Sequence, residues 1–207
     1  MLETLNNLDT QWFWWINSHH CTAMDWVMWP LSQHWFMAAV IVLAFCLLTL
    51  RYEPRKWWIV LIGIALCFLL ADQGSVHLFK NTVCRLRPCH ALEDVRMFRT
   101  SCGGQYGFVS SHAANVFAVA LFLILRYRKV MKNEELRMKN SAAAVVSRFS
   151  IYLLLVWAVA TCYSRPYLGK HYPGDVICGA LFGAIIALIV WSIIGVIEKK
   201  FCKSETK

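Results

Sequence analysis

Two histidines in the chain stand beside residues that could make them catalytic. His171 precedes Asp175 by four residues, and Pro173 between them suits the first turn of a helix. Asp175 is therefore expected in that opening turn, where its carboxylate would keep one imidazole nitrogen protonated and leave the other free to attack. Alone, the pair would equally fit a hydrogen bond that only starts a helix.

The second histidine, His112, follows Ser110 and Ser111 at the predicted start of another helix. Serine is a preferred N-cap residue, so either serine could begin this helix and leave amide groups and the positive dipole end to bind an anion. His112, just inside, could donate a proton to a leaving oxygen or take one from water. By itself the segment also describes a capped helix with an interfacial histidine.

Three basic residues could bind a phosphate near these histidines. The seven-residue separation of Lys80 and Arg87 predicts that both lie on one face of a helix, about 10 Å apart, until Pro88 ends it. Arg165, six residues before His171, offers a planar guanidinium to two phosphate oxygens. The alternative for Lys80 and Arg87 is snorkelling of basic side chains at a helix end.

The elements that position these residues are expected to be membrane-spanning helices. The 207-residue chain is 58% hydrophobic and only 16% charged, and its mean hydropathy of +0.49 is typical of an integral membrane protein rather than a soluble domain. Its glycine and proline are too few for a disordered or fibrous protein. No nucleic-acid partner is expected, because the basic residues alternate with apolar blocks and form no soluble basic face.

Five apolar runs approach the length of about 20 residues that a membrane-spanning helix needs. They cover residues 26–50, 57–79, 108–125, 149–163 and 176–197. Between Leu2 and Ile16, apolar residues recur at three- and four-residue steps, which predicts an amphipathic helix in the membrane interface. The expected fold is an all-α integral membrane protein, a bundle of five transmembrane helices plus this interfacial helix, in one domain over residues 1–207. A sixth, tilted span is the alternative, although Glu3 and Asp9 would be costly in lipid.

The basic residues orient this bundle, because Lys and Arg accumulate in cytoplasmic loops. With five spans, 14 of the 21 basic residues fall on one side, in residues 51–56, 126–148 and 199–207. Residues 1–25 contain no Lys or Arg, which favours an extracytoplasmic N-terminus and a cytoplasmic C-terminus. The candidate site then lies on the outer face, where its basic residues oppose the usual bias and point to an anionic ligand. Pairing with lipid headgroups is the alternative.

Together the three segments resemble the tripartite signature of the type 2 phosphatidic acid phosphatases. The motifs fall at residues 80–88, 109–112 and 164–175, in the family's order and with its internal spacing. The second motif departs from the usual Pro-Ser-Gly-His at two positions, where Val109 replaces proline and Ser111 replaces glycine. The resemblance implies a membrane-embedded lipid phosphatase.

The resemblance also implies a role for each motif residue. His171 would attack phosphorus to form a phosphohistidine, Asp175 would orient it, and His112 would protonate the departing lipid oxygen and then activate water. No metal or cofactor is implied, because the basic residues supply the charge. The phosphoryl oxygens would be held by Lys80, Arg87, Arg165, Ser110 and, as a further contact, Ser111.

The expected substrate is a lipid-linked phosphate or diphosphate monoester at the outer leaflet of the cell (inner) membrane. Undecaprenyl diphosphate and a lipid A phosphate are favoured, with phosphatidylglycerol phosphate and phosphatidate also considered. Phosphoryl transfer from one lipid to another on the same fold is the alternative, and an anion or lipid transporter is a third. The lipid bilayer is the other expected partner, and the sequence does not predict an oligomeric state.

Two further groups of residues have possible roles near the site. Cys84, Cys89 and Cys102 lie in the predicted outer loop, where a disulfide such as Cys89–Cys102 could hold the loop over the site. The same cysteines with His90 are a weaker candidate for zinc, since they lack a paired C-x₂-C spacing. Asp72, inside the second span, is expected to make a structural contact within the bundle.

Overall fold

The computed structural model describes the backbone of residues 2–137 and 142–204, and the side chains of residues 3–128, 149 and 152–199. Within these ranges the chain is helical, with one isolated β-bridge between Leu86 and Tyr106. The helices are α1 (Leu2–Ser18), α2 (Thr22–Leu31), α3 (His34–Phe45), α4 (Trp57–Gly74), α5 (Asn81–Val83), α6 (Pro88–Ala91), α7 (Ser111–Arg137), α8 (Ala142–Tyr167) and α9 (Pro173–Ser204). π-helical turns at Cys46–Leu50 and Ser75–Lys80 extend α3 and α4, and a 3₁₀ turn at Pro54–Lys56 precedes α4.

The first predicted span, residues 26–50, is not one straight helix. It is divided between α2 and α3, whose axes bend by 68° at a break after Leu31. The backbone of Gln33 is extended, and Pro30 lies inside the last turn of α2. A proline in the last turn and a run of polar residues favour such a break within an otherwise apolar segment.

Two helices in the described ranges are long and apolar enough to cross a membrane, at Pro54–Val83 and Pro173–Lys199. The bent pair from Thr22 to Leu50 makes a third if it forms one span. The predicted span at 108–125 corresponds to the first half of α7, which begins at Ser111, and the span at 149–163 lies within α8. Both helices pack in the same bundle but do not meet this test. The all-helical fold is therefore confirmed, and the number of five spans stays a prediction.

The predicted amphipathic helix is present as α1, and both of its faces are apolar in part. Its exposed face carries Leu5, Leu8, Trp12 and Trp15. Its other face packs on α8 and α9, with Phe13 fully buried against the rest of the protein. This helix is not among the segments that could span a membrane. The interfacial assignment therefore fits its exposed face, while its buried face makes it part of the folded bundle.

Close packing of α7 against α9 sets the spacing of the bundle near the site. A Cβ atom added to Gly179 would lie 2.6 Å from the carbonyl oxygen of Ser110, and one added to Gly183 would overlap the carbonyl oxygen of Ala114. Only glycine lets two helix backbones approach this closely, as in other membrane proteins with glycines four residues apart. The starts of α7 and α9 are therefore held together by backbone contact.

Charged residues from distant segments meet at Arg126 of α7, 15 residues and about 22 Å along this helix from its start. Arg126 donates to Glu53 and Glu198, and Lys56 lies within ion-pairing distance of both carboxylates. The segments assigned to the cytoplasmic side by their charge thus share one end of the bundle. Lys139 and Lys207 of the same predicted basic segments lie outside the described residues.

Asp72 has the structural contact expected for an acid in the second span. Its carboxylate accepts a hydrogen bond of 3.4 Å from the side-chain amide of Asn115 on α7, and its backbone carbonyl accepts one of 2.7 Å from Ser75. Asp72 therefore links α4 to α7 just below the candidate site.

Candidate active site

The second motif begins α7 as the serine pair predicted. Ser110 is fully buried, and its hydroxyl accepts a hydrogen bond of 3.5 Å from the amide of Ala113, which is an N-cap contact. The amide of Ser110 donates to the carbonyl oxygen of Asp175 at 3.0 Å. The hydroxyl of Ser110 thus caps its own helix, and its backbone amide joins the second motif to the third. Anion binding by the N–H groups at the start of α7 stays a prediction.

The first motif does not follow the predicted helix. The helical segment that contains Lys80 ends at Val83, because Cys84 adopts a left-handed conformation with φ 50°. Arg87 lies beyond this turn in extended backbone, so the prediction that it shares a helix face with Lys80 is wrong. The turn instead sends Arg87 toward the third motif.

Lys80 lies beside the second motif. Its ammonium group donates to the hydroxyl of Ser111 at 2.6 Å, and that hydroxyl also contacts the hydroxyl of Ser75 at 2.5 Å. The serine that replaces the usual glycine therefore supports Lys80, which is a role the sequence did not indicate. Of the departures from the usual motif, Val109 is buried and Ser111 is half-buried.

Arg87 contacts the predicted nucleophile directly. Its Nη1 lies 3.0 Å from Nε2 of His171 and 3.4 Å from the carbonyl oxygen of Lys170. An arginine can only donate, so Nε2 of His171 accepts and carries the lone pair. The proton of the neutral ring is then on Nδ1.

The third motif places Asp175 in the first turn of α9, which begins at Pro173 as predicted. One carboxylate oxygen of Asp175 lies 3.6 Å from Nδ1 of His171 and accepts a hydrogen bond of 3.1 Å from the amide of Tyr172. Both His171 and Asp175 are buried. The separation exceeds a hydrogen bond but puts the carboxylate on the side of the ring that carries the proton.

Arg165 is buried beneath the histidines, near the end of α8. Its Nη1 donates to both the hydroxyl and the carbonyl oxygen of Ser32, which lies at the break between α2 and α3. A buried guanidinium without an acidic partner is costly unless its donors are satisfied. Ser32 stabilises this cation through Nη1, whereas the buried Nε has no hydrogen-bond partner among the residues whose side chains are described and is available to an anion.

His112 lies at the same end of the bundle, with its ring centroid 4.5 Å from that of His34. Its Nε2 is buried and has no hydrogen-bond partner among the residues whose side chains are described. His34 begins α3, so the break that supplies Ser32 also supplies this ring contact. A buried ring nitrogen without a partner is available for proton exchange with a ligand.

The electrostatic environment keeps His171 in its neutral form. Burial lowers the pKa of His171 well below 6.5, and the cations Arg87, Arg165 and Lys80 lower it further. The neighbouring Lys170 also lies among cations, and burial together with Arg165 and Arg87 lowers its pKa to about 8. A dianionic phosphate would counter this concentration of positive charge.

The structure thus brings together all eight site residues that the sequence indicated, and it adds others. The added residues are Ser32 and His34 at the α2–α3 break, Lys170 in the third motif and Arg85 in the first motif. Gly107 also packs closely here, since a Cβ atom there would lie 3.0 Å from the Asp175 carboxylate and 3.2 Å from the Arg87 side chain. The polar run after Pro30 was the one sequence signal for Ser32 and His34.

A disulfide joins Cys89 to Cys102 and closes the loop that follows Arg87. Cys84 is exposed and has no disulfide. Cys89, His90 and Cys102 have ligand atoms close enough to hold a metal ion, but sulfurs engaged in a disulfide are not available as ligands. The disulfide therefore takes precedence over the zinc alternative.

The amino-acid sequence matches a known protein family. Residues 56–198 match the PAP2 superfamily. The lipid A 4'-phosphatase of Bacteroides thetaiotaomicron is 30% identical over 189 residues, which cover 88% of this chain and 75% of that protein. The lipid A 4'-phosphatase of Porphyromonas gingivalis is 27% identical over 199 residues, covering 93% of this chain and 74% of that protein.

A solved structure shares the fold. The crystal structure of a transmembrane PAP2-type phosphatidylglycerolphosphate phosphatase from Bacillus subtilis superposes with a TM-score of 0.65 and 18% sequence identity. The superposition covers 95% of this chain and 87% of that one.

Proposed function

The chain belongs to the PAP2 superfamily, and from that premise we propose that it is a lipid phosphatase that hydrolyses a phosphomonoester through a covalent phosphohistidine. The observation that carries the mechanism is the arrangement around His171. Arg87 donates to Nε2, the Asp175 carboxylate lies 3.6 Å from Nδ1, and both residues of the pair are buried. This arrangement gives one ring nitrogen a lone pair and the other a proton, as nucleophilic attack requires.

In the first half-reaction, Nε2 of His171 attacks phosphorus and the bond from phosphorus to the lipid oxygen breaks. His112 donates a proton to that oxygen, so the lipid leaves as an alcohol. Asp175 stabilises the positive charge that the His171 ring acquires. Lys80, Arg87 and Arg165 bind the phosphoryl oxygens, where the transition state concentrates charge.

In the second half-reaction, His112 takes a proton from water as the water oxygen attacks the phosphohistidine. The bond from phosphorus to Nε2 breaks, His171 recovers its lone pair, and inorganic phosphate leaves. His112 is again protonated for the next cycle. One residue thus acts as acid and then as base, and the three cations supply the charge that a metal ion supplies in other phosphoryl-transfer enzymes.

For the substrate, we propose the phosphate group of lipid A. The support is the similarity to two lipid A 4'-phosphatases that extends over most of this chain. A site at the end of the bundle also suits a phosphate on a lipid headgroup, whose acyl chains stay in the bilayer. Undecaprenyl diphosphate, phosphatidylglycerol phosphate and phosphatidate are the competing substrates.

Phosphate release by the purified protein, in detergent with EDTA, tests both proposals. Each of the four lipids is supplied in turn, with His171→Ala as the inactive variant and His77→Ala as the matched control, because His77 is an exposed histidine outside the site. We expect release from lipid A that is lost only in His171→Ala. Release that persists in His171→Ala would reject the nucleophile, and label transferred to a second lipid instead of water would favour the phosphotransferase.

We further propose that the site faces the extracytoplasmic side of the cell membrane. The support is the grouping of charges, since the basic segments 51–56 and 126–128 meet about 22 Å along α7 from the motif residues at its start. Cys84 is exposed near the site and can report its side. In a variant with Cys84 as the single free cysteine, a membrane-impermeant maleimide should label intact cells, and labelling only after lysis would reverse the orientation.

A further inference from the structure

One arginine in the first motif joins the N-terminal helix to the catalytic acid. Nη1 of Arg85 donates to Asp9 on α1 and to Asp175 on α9, both at 2.8 Å. Its Nη2 donates to the side chain of Asn6 at 2.9 Å, and its guanidinium lies 4.0 Å from the centre of the Tyr172 ring. This guanidinium therefore contacts α1, the first turn of α9 and the tyrosine that precedes it.

Asp9 makes a second contact with the catalytic segment. Its other carboxylate oxygen accepts a hydrogen bond of 2.7 Å from the amide of Gly174, the residue before Asp175. A Cβ atom on Gly174 would lie 2.7 Å from this carboxylate, so only glycine allows the approach. Asp9 thus holds the first turn of α9 both directly and through Arg85.

The far end of α1 is also fixed to the region of the site. The side-chain amide of Asn17 donates to the carbonyl oxygens of Tyr167 and Arg96 at 2.9 and 3.0 Å, and its oxygen accepts from the amide of Arg96. Asn17 is buried. With contacts at both ends, α1 has little freedom to move away from α9.

We propose that Asp9 is a positioning residue for the His171–Asp175 pair, and that it acts through Arg85. This inference rests on the proposed function, in which Asp175 orients His171. Arg85 and His171 share the Asp175 carboxylate, since Arg85 contacts one oxygen and His171 faces the other. Asp9 partly neutralises the positive charge of Arg85, so Arg85 attracts the Asp175 carboxylate less strongly. The negative charge of Asp175 then interacts more strongly with His171.

The direction of the effect follows from the charges around His171. The ring is faced by Arg87 from the first motif, by Arg165 and Lys80, by His112 from α7, and by Asp175 from α9. Without the charge of Asp9, Arg85 interacts more strongly with the Asp175 carboxylate. That carboxylate then stabilises protonated His171 less. Loss of the Arg85 charge has the opposite effect, because Asp175 then acts on His171 without competition.

Three single substitutions separate this role from simple support of the fold. Asp9→Asn keeps the size of the side chain and removes its charge, Arg85→Gln removes the shared cation, and Glu3→Gln is the control, since Glu3 is an exposed acid on the same helix. With the lipid that the wild type hydrolyses, we expect Asp9→Asn to lower kcat about tenfold with KM unchanged, as for other residues that orient a catalytic group. Glu3→Gln should match the wild type.

A titration that needs no turnover makes the test independent of the proposed function. Protein labelled with ¹⁵N-histidine in micelles gives the protonation of His171, whose signal is assigned by its loss in His171→Ala. The midpoint should move to lower pH in Asp9→Asn and to higher pH in Arg85→Gln. If Arg85→Gln does not fold, the comparison of Asp9→Asn with Glu3→Gln decides alone.

The outcomes separate the two claims. Equal His171 midpoints in Asp9→Asn, Glu3→Gln and the wild type would overturn the positioning role, whatever the activity. A wild-type protein that releases phosphate from no lipid would reject the proposed function, while the titration would still show whether Asp9 is coupled to His171. A fall in kcat with no change in midpoint would reduce Asp9 to a support of the fold and so also overturn the proposal.

Discussion

Nη1 of Arg87 lies 3.0 Å from Nε2 of His171, so the nitrogen proposed to attack phosphorus is already paired with a cation proposed to bind phosphate. The same guanidinium is therefore placed to pass from the ring nitrogen to a phosphoryl oxygen as the bond to phosphorus forms. The proposed nucleophile and the group proposed to stabilise charge are adjacent in space, although Arg87 and His171 are 84 positions apart in the chain.

This contact predicts the acid limb of the pH profile. Burial and the neighbouring cations lower the pKa of His171, so the ring stays neutral and nucleophilic until the pH falls well below 6.5. In Arg87→Ala one of those cations is lost, the pKa rises, and the acid limb of kcat/KM should move to higher pH. We expect kcat itself to fall about 100- to 1,000-fold, as for loss of one donor to a transition-state oxyanion. An unshifted limb in the variant would contradict this account.

The tautomer of His171 can be tested through Asp175. Asp175→Asn keeps the size of the side chain but removes the charge that favours a proton on Nδ1, and kcat should fall by up to about 10⁴-fold, as in the serine protease triad. Asp94→Asn is the matched control, because Asp94 is an exposed acid in the loop before α7. A loss confined to KM would mean that Asp175 binds substrate rather than orienting the ring.

Ser32 should prove necessary for phosphate binding although it belongs to no motif. Ser32→Ala removes the hydroxyl that holds the buried Arg165 guanidinium, and a hydrogen bond to a charged group contributes about 1.5–3 kcal/mol. We expect kcat/KM to fall roughly tenfold or more by this estimate. Ser192→Ala, on the exposed face of α9, removes a comparable hydroxyl and should have no effect on kcat/KM.

The disulfide should contribute to stability. Closing the loop between Cys89 and Cys102, which are 13 positions apart, should stabilise the fold by about 3 kcal/mol in the chain-entropy account. The double variant Cys89→Ser with Cys102→Ser should therefore unfold at lower temperature than the wild type. Cys84→Ser is the control, and equal unfolding temperatures for all three proteins would show that the link is not formed.

The sequence predicted those parts of the site that depend on residues close together in the chain. Pro173 and Asp175 share one helical turn, and Ser110 caps the helix that His112 enters, so spacing alone indicated both arrangements. The Lys80–Arg87 prediction failed because Cys84, a residue type without a strong turn preference, adopts the left-handed conformation that ends the helix.

Contacts between distant segments were beyond the reach of sequence patterns. Arg165 and Ser32 are 133 positions apart, and Arg85 and Asp9 are 76 apart. The sequence indicated Arg165 as a phosphate ligand, but nothing in it linked Arg165 to Ser32 or Arg85 to Asp9. The sequence signals for the 68° bend after Leu31 were Pro30 and the polar residues that follow Leu31. Long apolar segments on both sides made the region resemble one continuous span.

The glycines of α9 have a consequence for natural and laboratory variation. Gly183 lies about two helical turns from the motif residue Asp175 and carries no functional group. Yet any side chain there would meet the backbone of α7 and push apart the helices that carry His112 and Asp175. Inactivating substitutions in this protein should therefore occur at inert positions in the membrane interior as well as among its charged residues.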